Sequence, residues 1–199
     1  MRVVLAGNPN AGKTTLFNSL TKSNLRTGNF HGVTTTPTEK TFGGITYVDA
    51  PGLYALSAYS MEEVSAAEEI KNADLIINVL DSLTLENSLY LTRRLISSGK
   101  PVVLYVTKLN QLRRRGGKLD KDKLSKMLGI PVYDCPPQQL RKAIEGGIAP
   151  VKAESIPLTS AYSAGREGLS RADKLFYNRY FALAFFIAAI AAMFFFAFH

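Results

Sequence analysis

The chain carries one cysteine, Cys135, and two histidines among its 199 residues. A lone thiol cannot close an internal disulfide, so a reducing compartment is the natural setting. Cys135 reads as a small buried hydrophobe rather than a reactive thiol. His, Cys, Asp and Glu form no cluster at metal-ligand spacing, and His31 reads as a loop residue rather than a ligand. There is no internal repeat, and the basic segments lack the interleaved aromatics that stack single-stranded bases. Met1-Arg2 runs straight into an apolar strand, so no signal peptide is expected.

The length suits one domain of typical size with something small attached. A formal net charge of +8 permits contact with nucleic acid or an anionic membrane face. Part of that charge is local: Arg113-Arg114-Arg115-Gly116-Gly117-Lys118 is one dense basic turn, expected as a solvated loop.

The most specific signal is Gly7-Asn8-Pro9-Asn10-Ala11-Gly12-Lys13-Thr14, which fits the phosphate-binding pattern G-x-x-x-x-G-K-[ST] at every fixed position. An apolar run, Val3–Ala6, precedes it, and Thr15–Leu20 follows as the first turns of a helix. In such a loop backbone N–H groups turn inward around a phosphate, and the helix start adds partial positive charge. Lys13 would reach the β- and γ-phosphates, and the Thr14 hydroxyl would ligate Mg2+.

Strand candidates recur at Met1–Ala6, Thr38–Phe42, Ile45–Asp49, Leu75–Leu80, Pro101–Val106 and, more weakly, Ile130–Tyr133. The second and third read as a hairpin around Gly43-Gly44. The continuous apolar runs read as central parallel strands covered on both faces. Helical patterns fill Met61–Asn72, Leu85–Ser98, Asp120–Leu128 and Gln138–Glu145. The alternation predicts an α/β fold, a P-loop NTPase with a three-layer, mostly parallel sheet. Ligands in such folds bind beyond the carboxyl ends of the strands. Residues 146–170, rich in Gly, Pro, Ser and Ala, read as a linker or a small helical remnant.

Asp49-Ala50-Pro51-Gly52 ends an apolar strand about 35 residues after the phosphate loop. An aspartate there can hold Mg2+ through water, and the Gly52 N–H can sense a γ-phosphate. Between the two motifs, Asn24–Thr36 is polar and without periodicity, a candidate switch loop in which Thr34, Thr35 and Thr36 each offer a hydroxyl to Mg2+. Thr107-Lys108-Leu109-Asn110 follows a central strand, where guanine-nucleotide switches use [NT]-K-x-D. An amide in place of the carboxylate both donates and accepts, and so pairs less selectively.

Phe181–Phe198 is 18 consecutive apolar residues. As a helix it would be about 27 Å long, close to the roughly 30 Å of a bilayer's hydrocarbon core. Arg171, Lys174, Asn178, Arg179 and Tyr180 form a basic, aromatic flank suited to a cytoplasmic boundary. A tail anchor, or the first span of a longer membrane protein, is expected.

The segments GNPNAGKTTLFNSLT, TGNFHGVTTTP, VDAPGLYALSAYSMEE and INVLDSLTLENSLYLT resemble the N-terminal G domain of the bacterial ferrous-iron transporter B family (FeoB) over about residues 1–145. DKLFYNRYFALAFF is similar to that family's entry into its first membrane helix. The resemblance implies a G domain over 1–145, a linker or reduced helical segment over 146–170, and a membrane-entry segment and transmembrane helix over 171–199. It implies a slow GTPase on the cytoplasmic side of the bacterial inner membrane, coupled to a ferrous-iron membrane domain mostly absent from this chain. A homo-oligomer is a further possibility.

Carried over by position, Gly7–Thr15 would bind phosphate, Gly32, Val33, Thr34 and Thr35 would form the first switch, and Asp49–Gly52 the second. Thr107, Lys108 and Asn110 would read the base. Implied ligands are GTP or GDP, Mg2+ on Thr14, Thr34 and Asp49, and K+ on Asn10, whose site carbonyls near Gly28-Asn29 would complete. Lys13, Thr34, Gly52 and Asn10 would stabilise transition-state charge. Leu53 is apolar, which leaves no glutamine there to orient water. The last base-contacting loop has two candidates, Asp134-Cys135 and Thr159-Ser160-Ala161. Two other classes compete: a nucleotide-binding module with relaxed base preference and little hydrolysis, and a basic RNA- or ribosome-associated GTPase. The apolar tail counts against the latter, so nucleic acid is not an expected partner.

Overall fold

The structure, a computed structural model, describes residues 1–25, 37–53, 61–165 and 177–198. Its main sheet is built from β1 (Arg2–Ala6), β2 (Thr38–Phe42), β3 (Ile45–Asp49), β4 (Leu75–Asp81), β5 (Val102–Thr107) and the short β7 (Val132–Tyr133). The order is β2-β3-β1-β4-β5-β7. β2 runs antiparallel to β3, and every other pairing is parallel. The chain thus goes left from β1 to β3 and then right to β4, which opens a crevice at the carboxyl end of β1.

Alternation along the strands assigns two cores. Val3 and Leu5 of β1 pack with Leu16, Phe17 and Leu20 of α1 (Lys13–Thr21), and with Leu140 and Ile144 of α6 (Pro137–Glu145). Val4 and Ala6 face the other way. They pack with residues of α2 (Met61–Lys71), α3 (Leu85–Ile96), α4 (Leu109–Arg114) and α5 (Lys121–Leu128). Strands apolar on both sides between two helical layers make the three-layer α/β sandwich that the sequence pattern predicts. One polar side chain interrupts the inner face of β4: Asn78 is buried and donates to Thr92 Oγ1 on α3 at 2.7 Å. That bond satisfies an amide which would otherwise cost stability.

Three features depart from expectation. The basic turn at Arg113–Arg115 is largely helical: Arg113 and Arg114 form the last turn of α4, whose negative carbonyl end favours cations. Ile130–Tyr133 contributes only Val132–Tyr133 to the sheet, since Pro131 has no N–H and offers only its carbonyl, to Leu104 N. The compact unit runs from Met1 to Gly165, beyond the expected boundary at residue 145. Within 146–165, α7 (Leu158–Ala161) and β8 (Tyr162–Ser163) pack onto the sheet's helical layer. β8 pairs antiparallel with β6 (Lys118–Leu119), Tyr162 is buried, and its hydroxyl donates to Ser82 O at 2.9 Å. Gly165, at φ +73°, lies so close to the Arg115–Gly117 turn that a Cβ would meet the Arg115 carbonyl and come within 2.9 Å of its carbon.

The second unit holds α8 (Arg179–Phe198). Asn178 Oδ1 accepts from the Tyr180 N–H at 3.1 Å and caps its start. The helix has 20 residues and a mean hydropathy of 2.6, long and apolar enough to cross a membrane by length and composition.

Candidate functional site

The carboxyl ends of β1, β3, β4 and β5 converge on the phosphate loop. Strand β1 delivers Gly7, and α1 starts at Lys13, so the loop spans the gap between a buried strand and a helix N-terminus. Asn10 at φ 62° and Gly12 at φ 99° give the left-handed steps that wind the backbone back on itself. Asn8 Nδ2 donates to Ser88 Oγ at 3.0 Å, which ties the loop to α3. Pro9 lies against Gly52: a Cβ on that glycine would stand 2.8 Å from Pro9 Cγ and 3.1 Å from its Cα. Only glycine lets the second motif approach the first this closely.

Lys13 is buried, and its Nζ donates to the carbonyls of Gly7 and Asn8, each at 3.1 Å. Burial pushes its pKa down to about 8, against the opposing pull of Asp49. A buried ammonium held by two carbonyls gains most from an anion brought into the loop. Thr14 Oγ1 donates to Asp49 Oδ2 at 2.7 Å. Burial raises the Asp49 pKa, with the Thr14 hydrogen bond and the Lys13 charge acting the other way. Its second oxygen, Oδ1, is buried without a hydrogen-bond partner. A hydroxyl oxygen and a half-satisfied carboxylate side by side are hard oxygen donors, and they fit a small divalent cation such as Mg2+. Among the described residues no group of three His, Cys, Asp or Glu could hold a metal, so these two oxygens would serve together with ligand and water.

The segment Thr107–Asn110, expected to read the base, is fastened to the same loop. Thr107 Oγ1 donates to Ala11 O at 2.8 Å and to Leu80 O at 3.2 Å. Lys108, at φ 58°, reaches Asn10 O at 3.1 Å and the Asp81 carboxylate at 2.5 Å. Asn110 lies in α4 and is exposed. A cavity of about 530 Å³ opens here, bordered by Gly12, Thr15, Thr107, Lys108, Asn110 and Asp134 among others.

The structure therefore brings together Gly7–Thr15, Asp49–Gly52 and Thr107–Asn110. Gly28, Asn29, His31, Gly32, Val33, Thr34, Thr35 and Thr36 lie outside the described residues. Of the two candidates for the last base-contacting loop, Asp134 borders the cavity. Thr159, Ser160 and Ala161 instead form α7, and the Ala161 carbonyl accepts from Asp120 N. Sequence reasoning missed Asp81, Arg113 and Pro137. Asp81 carried a signal, a carboxylate closing a central apolar strand. Arg113 was hidden because α4 begins inside the motif itself.

Comparison with known proteins gives a consistent result. The family described as ferrous iron transport protein B matches residues 1–144. The Fe(2+) transporter FeoB of Legionella pneumophila is 43% identical over 142 residues, 65% of this chain and 18% of that protein. The chain thus spans less than a fifth of that relative. The fold resembles S. thermophilus NFeoB (E66A mutant) bound to GMPPNP, with a TM-score of 0.67 and 38% identity over 71% of this chain and 60% of that one. It also resembles S. thermophilus NFeoB bound to GDP.AlF4- and K+, with a TM-score of 0.67 and 32% identity over 85% and 65% of the two chains.

Proposed function

The chain belongs to the ferrous iron transport protein B family, and from that premise we propose that its first unit is a GTP-binding, slowly GTP-hydrolysing switch that regulates a ferrous-iron membrane domain. The observation that carries this reading is the Thr14–Asp49 contact at 2.7 Å, with the orphaned Asp49 oxygen beside the buried Lys13. One switch motif touches the phosphate loop at the point where the Mg2+ accompanying a γ-phosphate would claim the same oxygens.

In this reading Gly7–Thr15 bind the phosphates, and Lys13 exchanges the two carbonyls it now holds for phosphate oxygens. Thr14, Asp49 and Thr34 would hold Mg2+, which neutralises charge on the β- and γ-phosphates. Gly32–Thr35 and the Gly52 N–H report the γ-phosphate. Asn10, exposed and offering an amide oxygen, suits K+, the ion named with one structural neighbour. Leu53 is buried and apolar, so it supplies no group to orient an attacking water, in keeping with a low rate. Tyr162, bonded to the segment that follows Asp81, would pass loop movements to the chain leading to α8. α8 would cross the cytoplasmic membrane, with the first unit on its cytoplasmic side.

A second reading has its own observation: Asn110 in the base-reading segment favours relaxed base preference, up to a general nucleoside triphosphatase. Titration of the full chain in detergent micelles with GTP, ATP and XTP, with and without K+, separates the two. Tighter binding of GTP, phosphate release faster in K+ than in Na+, and loss of both in Lys13→Ala support the switch reading. Equal binding of ATP and GTP overturns its guanine part.

A further inference from the structure

We propose that Asp134 determines base specificity, supplying from the turn between β7 and α6 the carboxylate that position 110 lacks; this rests on the guanine-nucleotide reading above. Guanine presents an acceptor (O6), a donor (N1–H) and a second donor (the 2-amino group) along one edge. One amide matches two adjacent groups of opposite kind. Asn110 can donate to O6 and accept from N1–H, which leaves the 2-amino group in need of an acceptor.

Asp134 is the one carboxylate among the residues bordering the cavity that Asn110 also borders. Lys121 Nζ donates to its Oδ1 at 3.1 Å, which anchors the side chain and leaves Oδ2 outside that bond. A 2-amino group needs an acceptor, and the next two carbonyls of the turn are already engaged. Pro136 and Pro137 have no N–H. The Cys135 carbonyl already accepts from the Tyr105 hydroxyl at 3.0 Å. The Pro136 carbonyl accepts from Gln139 N and Leu140 N. The Asp134 carboxylate is thus the charged acceptor that the turn offers to a 2-amino group. Lys121 is a positioning residue, holding that carboxylate in place.

The test compares GTP with ITP, which lacks only the 2-amino group, on the full chain in detergent micelles. The wild-type chain binds GTP about ten-fold more tightly than ITP, the discrimination expected where an analogue lacks one hydrogen-bonding group. Asp134→Asn brings that ratio to about one and tightens XTP, because an amide donates to a 2-oxo group. Lys121→Ala leaves Asp134 present but unanchored and lowers the ratio partway, an independent reading from a variant at an exposed position. A wild-type chain that favours GTP over ATP, yet keeps its GTP-to-ITP ratio in Asp134→Asn and in Lys121→Ala, overturns the assignment and leaves the guanine reading standing. Equal binding of GTP and ATP by the wild-type chain overturns the guanine reading itself.

Discussion

Lys108 donates to the backbone carbonyl of Asn10 at 3.1 Å, so the segment that follows β5 holds the crown of the Gly7–Thr14 loop. The same ammonium pairs with Asp81 at the end of β4, and Thr107 adds a bond to Ala11 O. Two segments far apart in sequence are thus fastened by side chains, with Asp81 as the anchor. Lys108→Ala should lower GTP affinity at least ten-fold and destabilise the fold by about 1–3 kcal/mol, because the buried Asp81 carboxylate loses its ion-pair partner. Urea melts of Lys108→Ala, Asp81→Ala and the double variant should give a non-additive cycle. Additive effects would show that the two groups act independently.

Asp49→Ala removes the carboxylate that meets Thr14. Nucleotide affinity of the wild-type chain should fall when EDTA strips Mg2+. The Asp49→Ala chain should bind weakly with or without EDTA. A variant that keeps the full EDTA effect would remove Asp49 from the metal site.

Tyr162→Phe deletes one buried hydrogen bond to Ser82 O and should cost about 1 kcal/mol. A chain ended at residue 145 loses α7 and β8 with it and uncovers the core beneath Ala161 and Tyr162. It should melt at a clearly lower temperature than one ended at 165. Equal melting temperatures would restore the expected boundary at 145.

Asp120 caps α5: its carboxylate accepts from the Lys123 N–H at 3.1 Å, and this bond chiefly holds its pKa below the ordinary value. The sign follows from the depressed value. The cap stabilises the fold above the ordinary carboxylate range and is lost as pH falls through the lower folded value. Asp120→Asn keeps a capping oxygen without the titration, so its melting temperature should fall less steeply between pH 5 and 3, roughly the carboxylate window. Parallel curves for the two chains would contradict this.

Most of the fold was legible because its signals are local. β2 and β3 keep the predicted limits, since the hairpin at Gly43-Gly44 fixes both ends. That Gly7–Thr14 and Asp49 would meet was legible because their residue types and spacing follow a pattern shaped by one kind of ligand. What escaped depends on long-range packing. Residues 146–165 look like a linker by composition, yet Leu158, Ala161 and Tyr162 are apolar enough to cover α5 and the end of β4. α4 was invisible because six residues rich in arginine show no apolar period, and Leu112 alone is buried. Between Asp134-Cys135 and Thr159-Ser160-Ala161, wording and position along the chain pull apart, and only the folded chain shows that Asp134 borders the cavity while the other three residues form α7.

The close approach of Gly165 to the Arg115–Gly117 turn also sets a load path. Tension on the chain beyond Gly165 arrives first at β8, which a two-residue antiparallel ladder holds to β6. The strain then enters α4 from its carboxyl end, and Lys108 stands at its amino end. Pulling on the chain beyond Gly165 would therefore reach, through α4, the side chain that holds the Asn10 carbonyl.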